Sequence, residues 1–572
     1  MLTQRPTPAF LSQEAARRLP RYALLLLLAA FILSGLASQD LWTLRDAETF
    51  GIALEMVRGG AAEWLMPQIA GEWVTSTGPL PAWIAAVFMK CFSGLAGDVG
   101  AYRLTSLLWF AISTAAIWYG SWRLARRQEA QPVVFAFGGE AAPKHYGRAV
   151  ADCAVLFFVA TFGILARQHE PVPGTVLLSL AAVNLFGLAM TLRRPCAGAF
   201  VTGVTAGLTA LTTSVLPGLV MLGAAVTIHA FARTFPSSRD RRILCVLAGA
   251  VLPAALWAGL IALAAPEAGL AWLREWAVGQ AQLLNLADVP AILWMSRTTL
   301  WFLLPAWPLA LWALYSWRRQ LDRTHILVPA TLVIASAVGG LFTTQTGAEP
   351  VLLVCVPGLS LLAAFGLTTL RRDRENLLDW FAISIFSVTL IALWLYWIAA
   401  GLDFPPKMAR SIEMLSPTFD PEFGFGPFMA IVSGLLWIVF VAWRLTHRPV
   451  VIWRGPWLAA AGMTATAVTF LGLWHPAVDL TRSYAPIARE AALEARDLTG
   501  NPDPLVNGDG LPGGVRALFA YYGPVHFTSG SETSSLKLVR VNRSFIPAEA
   551  VTAALARPHT DETFYLVTNS GH

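Results

Sequence analysis

The chain has 572 residues, 56% of them hydrophobic and only 13% charged, with a mean hydropathy of +0.57. That composition excludes an ordinary soluble enzyme and reads as a polytopic membrane protein. The net charge is +6, but the cations sit in clusters between apolar runs, which reads as topology and excludes nucleic-acid binding.

The first apolar run, near 22–39, follows Arg5, Arg17, Arg18 and Arg21, with Glu14 the one acid before it. Positive charge stays on the cytoplasmic side, so the N-terminus is expected inside. The run carries no small-residue cleavage motif and reads as a retained anchor. Directly after it comes Trp42-Thr-Leu-Arg45-Asp46-Ala-Glu48. Carboxylates at a membrane boundary are costly unless they have work to do, so this cluster marks an active site facing away from the cytoplasm.

A span needs about 20 mainly apolar residues. Thirteen are expected, near 22–39, 101–121, 149–166, 172–192, 197–213, 215–232, 243–264, 299–317, 326–343, 350–370, 377–400, 427–443 and 456–474. With this count the clusters around Arg123, Arg193, Arg241, Arg318, Arg371 and Arg444 all fall in the cytoplasm. The first outer loop, 40–100, contains the amphipathic stretches 47–57 and 80–92, expected to lie along the membrane surface; residues 80–97 could instead be a true span, but that would put the Arg123 cluster outside. The segments 172–232 are tightly spaced, so a merged span there would move two loops. Cys91, Cys153, Cys196, Cys245 and Cys355 lie in or near apolar segments, which argues against a disulfide framework.

After Trp474 the composition changes. Residues 486–496, 514–522 and 547–557 are expected as helices. Residues 504–507, 525–528, 536–541 and 563–568 are expected as strands, giving a small outer α/β domain over 475–572 beside a membrane module over 1–474.

Asp46 and Glu48 are two positions apart, so on a helix they would not share a face. Either could take a proton from an attacking hydroxyl if buried. Asp46 could equally N-cap a helix starting near Ala47. Arg167-Gln-His169-Glu170-Pro171 forms the next outer turn. It offers a second carboxylate and an imidazole, or simply a solvated turn. His169 and Glu170 are also two ligand types for a divalent cation, without a metal-spacing motif behind them. Arg58, Arg103, Arg274 and Arg297 are outer cations, able to grip phosphate bidentately or to act as headgroup anchors. No Walker loop, GxGxxG, HExxH or CxxC is present, which disfavours an ATP-driven pump or a nucleotide enzyme.

The string Asp46, Glu48, Glu55-Met56, Gly59-Gly60, Trp64-Leu-Met-Pro67, Gly71, Gly78-Pro79-Leu80-Pro81-Ala-Trp83 and Ala101-Tyr-Arg103-Leu104-Thr-Ser106 resembles the first outer loop of the aminoarabinose transferase/protein mannosyltransferase superfamily. Gly147-Arg148 and Pro357 resemble it too. These are membrane glycosyltransferases of the GT-C type. The resemblance implies a sugar donor carried on a polyprenyl phosphate, transfer on the outer side of a bacterial inner membrane, and an envelope lipid, glycan or protein as acceptor. It implies Asp46 as the catalytic carboxylate, with Glu48 a second candidate and Glu170 the other acidic site. The chain departs from the family where lysines are expected: Thr77 stands before Leu80, Thr212-Thr213-Ser214 in the fifth-span region, and Thr343-Thr-Gln-Thr-Gly-Ala-Glu349 before the tenth span. Arg297, then Arg103 or Arg274, or a bound divalent cation, would have to hold the phosphate instead. The rival reading is a non-catalytic scaffold or lipid-binding partner in envelope assembly. A coupled transporter is disfavoured, because the apolar spans carry almost no ionisable residues at their centres.

Overall fold

The computed structural model describes residues 7–36, 40–232, 235–370, 372–447, 449–528, 534–542, 551–557, 560 and 562–568. The chain enters through α1 (Arg21–Leu33) and a short 3-10 turn. The loop that follows is itself structured: α2 (Leu44–Arg58), α3 (Ala61–Leu65), the hairpin β1 (Gln68–Ile69) and β2 (Glu72–Trp73), then α4 (Leu80–Arg103). Next come α5 (Thr105–Ala125), α6 (Pro143–Ala160), α7 (Ile164–His169), α8 (Pro173–Met190), α9 (Pro195–Thr209) and α10 (Val215–Phe231). The helical part continues with α11 (Arg239–Ala264), α12 (Pro266–Gln282), α13 (Val289–Phe302), α14 (Ala306–Ser316), α15 (Thr324–Gly339) and α16 (Gln345–Leu367). It ends with α17 (Arg372–Leu402), α18 (Pro406–Leu415), α19 (Phe425–His447) and α20 (Arg454–Arg482).

Among the described residues, eight helices are long and apolar enough to cross a membrane, or nine if α13 and α14 form one span bent by 93°. The protein is thus polytopic and helical. The expected number of thirteen goes beyond this, partly because the apolar helices 21–36, 195–209 and 215–231 are short. The eighth expected span, 299–317, needs correction. It is broken at Leu303–Pro305, where proline supplies no N–H and restricts the residue before it. α4, expected on the membrane surface, has the length and composition of a span.

The helices build one core. Val150–Ala160 of α6 is buried throughout, as is nearly all of 348–367 in α16; the two pack on each other, α6 also on α20 and α16 also on α8. A second core lies at one end. It joins Phe50, Ala53 and Met56 of α2, and Ala82, Ala86 and Tyr102 of α4, to the C-terminal region. That region comprises α21 (Ala485–Thr499), β3 (Leu505–Asn507), α22 (Gly513–Tyr522), β4 (His526–Thr528), β5 (Leu536–Asn542), β6 (Val551–Ala556) and β7 (Glu562–Thr568). Its sheet order is β4-β3-β5-β7-β6, with β3 parallel to β4 and β5, and β7 antiparallel to β5 and β6. The parallel β3–β4 pair is joined through α22, the crossover that parallel neighbours require.

Two expectations are corrected here. Val551–Ala556, expected within a helix, is the edge strand β6. Its alanine-rich sequence favours helix, but the open side of β7 supplies a ladder, and tertiary pairing overrides propensity. The stretch 47–57 does not lie in a lipid interface. Its apolar face is covered by α22, where Gly514 lets helix and loop meet: a Cβ there would lie 2.1 Å from the Leu44 carbonyl oxygen. The helix α20 also runs past the expected domain boundary at 474 as far as Arg482.

Candidate active site

The start of α2 sets the site. Thr43 is extended, and its hydroxyl accepts the Asp46 N–H at 3.3 Å, so Thr43 is the N-cap and not Asp46. Helical spacing then sends Asp46 and Glu48 to different sides, as their two-residue offset predicts.

Asp46 faces inward and is 1% exposed. Its Oδ1 accepts from the Tyr102 hydroxyl at 2.7 Å, and its Oδ2 lies 3.5 Å from the Arg103 guanidinium. Burial raises its pKa, against the pull of Arg103 and the Tyr102 hydrogen bond. Arg103 is equally buried and also donates to the Asp40 carbonyl at 2.9 Å. His169 is buried too. Its ring nitrogens face the main-chain carbonyls of Phe31, at 2.7 Å, and Leu165, so it ties α7 to α1. Burial lowers its pKa. None of these three lines the cavity described next.

A cavity of about 540 Å³ lies on the other side of α2. Glu48 and Glu170 line it, with Arg45, Arg167 and Glu349. Glu48 accepts from the Ser76 hydroxyl at 2.8 Å, and burial raises its pKa. Glu170 accepts from the Thr43 hydroxyl at 3.3 Å. Burial, assisted by the nearby Asp46 charge, pushes Glu170 up to about 7. Glu349 pairs with Arg167 and lies 3.8 Å from Arg45, so one carboxylate orients both guanidiniums.

The other walls come from the segments in which the chain departs from the resembled family. Thr77, Thr213, Ser214 and Glu349 all line this cavity. They converge because the loop at Gly78 docks on the turn after α9, with Leu80 N–H donating to the Leu211 carbonyl at 2.8 Å. Only glycine fits at position 78, since a Cβ would lie 2.2 Å from the Leu211 carbonyl carbon.

The outer cations expected to hold a phosphate are elsewhere. Arg58, Arg274 and Arg297 are exposed on α2, α12 and α13 and do not line the cavity. The cations of the cavity, Arg45 and Arg167, were not singled out by sequence reasoning. The available signal was adjacency: Arg45 precedes Asp46, and Arg167 opens the turn that ends in Glu170. Among the described residues, no three His, Cys, Asp or Glu side chains are grouped as ligands of a metal ion.

The fold is shared with solved structures of ArnT. The chain matches the crystal structure of ArnT from Cupriavidus metallidurans bound to undecaprenyl phosphate, at a TM-score of 0.64 and 15% identity, over 96% of this chain and 98% of that one. The same protein in its apo state matches at a TM-score of 0.63 and 15% identity, over 95% and 97%. No family model and no curated protein matches the sequence.

Proposed function

We propose that the protein is a glycosyltransferase that moves a sugar from a polyprenyl-phosphate carrier to a cell-envelope acceptor on the outer side of the membrane. The observation that carries this reading is the cavity itself. It combines two guanidiniums held by Glu349, two carboxylates of raised pKa, and walls built from the three segments where related enzymes are expected to carry lysine. The fold shared with a protein crystallised with undecaprenyl phosphate supports the same donor class.

In this mechanism Arg45 and Arg167 grip the donor phosphate, replacing the missing lysines as planar bidentate donors. Glu48 accepts the proton of the acceptor hydroxyl. That oxygen forms a bond to the anomeric carbon as the bond from that carbon to the phosphate oxygen breaks. The electron pair leaves with the polyprenyl phosphate, whose charge the guanidiniums stabilise. Asp46 is a positioning carboxylate: it holds Tyr102 and Arg103 behind α2 and so fixes the helix that presents Glu48.

The test is binding of undecaprenyl phosphate to the purified protein, followed by sugar release from a polyprenyl-phosphate donor. Arg167→Ala should bind at least about tenfold more weakly, the loss expected for a charge-assisted contact. Unchanged affinity in both Arg167→Ala and Arg45→Ala, with the fold intact, would remove the phosphate from this cavity.

A further inference from the structure

A second polar cavity lies at the opposite end of α8, whose first turn walls the first. α5 begins at Thr105, just after Arg103, and ends at Ala125. The adjoining α8, long and apolar enough to cross a membrane, starts at the first cavity and ends here; its eighteen residues at about 1.5 Å each span about 27 Å, close to the thickness of a bilayer's hydrocarbon core. At that far end, Arg123, Arg126 and Arg127 of α5 and its C-terminal turn face Arg193, just past α8, across a pocket of about 170 Å³. Trp122, Ala189 and Leu192 complete the lining, and no carboxylate contributes to it.

The guanidiniums are held without being neutralised. Arg123 lies over the Phe186 ring at 4.6 Å, and Arg126 over Trp122 at 4.5 Å. Ring contact orients a guanidinium and leaves its N–H groups free to donate. Arg127 is paired with Glu129 at 3.2 Å. Among the described residues, no carboxylate lies within ion-pair distance of Arg123, Arg126 or Arg193. Three like charges around one pocket repel each other until an anion enters.

The surroundings indicate where that anion comes from. Leu108, Ala111, Ala115 and Tyr119 are exposed at helical spacing along α5, and their stripe runs up to Arg126. It offers an apolar track for an acyl chain, ending in the cationic pocket. A free inorganic anion would make no use of it. The arginine-rich end is also the side that charge topology assigns to the cytoplasm, and basic pockets between membrane helices on that side are suited to anionic headgroups.

We infer that this pocket binds the phosphodiester headgroup of an anionic phospholipid from the cytoplasmic leaflet, with an acyl chain laid along α5. Native mass spectrometry of the full-length protein in nonionic detergent tests it, with phosphatidylglycerol and phosphatidylcholine as probes. The wild type should retain phosphatidylglycerol in preference to phosphatidylcholine. An Arg123→Gln/Arg193→Gln variant should bind phosphatidylglycerol about tenfold more weakly, the loss of charged hydrogen bonds. Arg239→Gln/Arg241→Gln, which removes two exposed arginines from the start of α11, should bind as the wild type does. Equal loss in both variants would reduce the effect to general surface charge and overturn the proposal. Displacement of the lipid by millimolar inorganic phosphate would overturn it in favour of a free-anion site. If the first variant fails to fold, the wild-type preference still decides: equal retention of the two lipids would sink the idea.

Discussion

Glu48 and Asp46 differ by two positions and have opposite environments. Glu48 looks into the cavity, whereas Asp46 is enclosed by Tyr102 and Arg103. Removing a general base costs typically 10²–10⁴-fold in rate, so Glu48→Gln should lose sugar transfer by about that factor while still binding undecaprenyl phosphate. Asp46→Asn should show its effect first in stability, since it leaves the buried Arg103 charge without its partner, a change costing about 3–5 kcal/mol. Turnover measured beside thermal unfolding separates the two roles. If Asp46→Asn unfolds normally yet abolishes transfer, Asp46 is the base and Glu48 is not. The pH dependence follows from Glu170, whose carboxyl sits at about 7. An ionised carboxylate in the cavity is lost as pH falls through that value, so the transfer rate should decline below about pH 7. A flat rate profile from about pH 5 to about pH 8 would exclude control by this group. The stability effect has the opposite slope. Between the unfolded value of 4.5 and about 7 the native state holds the extra proton, so stability falls as pH rises across that window, and Glu170→Gln should flatten the fall.

At the scale of elements, the site depends on close contact between loops. Gly78 seats the Ser76–Thr77 segment on the turn after α9, where any side chain would meet the Leu211 backbone. Gly78→Val should therefore cost about 1–3 kcal/mol or more, and should weaken donor binding because Thr77 moves away from Thr213. Normal unfolding and normal affinity in that variant would show that the loop can shift without consequence. Much of this level was legible in the sequence. Apolar length revealed most of the membrane helices, because about 20 apolar residues in a row have few other uses. Strands β3, β4, β5 and β7 were legible from short β-branched and aromatic runs. What could not be read was set by partners distant in sequence. The alanines of β6 become a strand only beside β7, and the apolar face of α2 looks like a lipid-facing surface until α22 covers it. The cavity arginines were hidden for a related reason. Arg45 and Arg167 acquire a shared direction only through Glu349, about 180 residues beyond Arg167.

For the whole molecule, the second core makes one unit of the first outer loop and the C-terminal region. Asp40 bonds both Ser483 and Tyr522, while Trp42 donates to Asp479 at the end of α20. Both parts must then lie on the same side of the membrane. With the N-terminus inside, a reporter fused after His572 should be active only outside the cytoplasm, and cytoplasmic activity would invert the topology and the functional reading with it. The same core has a consequence for biosynthesis. Residues 44–58 emerge early in translation, but the surface that covers Phe50, Ala53 and Met56 is supplied by residues beyond 484. In the proposed topology the nascent chain therefore keeps this apolar helix unsheltered on the outer side of the membrane until the rest of the polypeptide has been threaded through. During that interval the helix is exposed to proteases and chaperones there, and a ribosome stalled anywhere before the last strand leaves a product that is inserted yet unfinished.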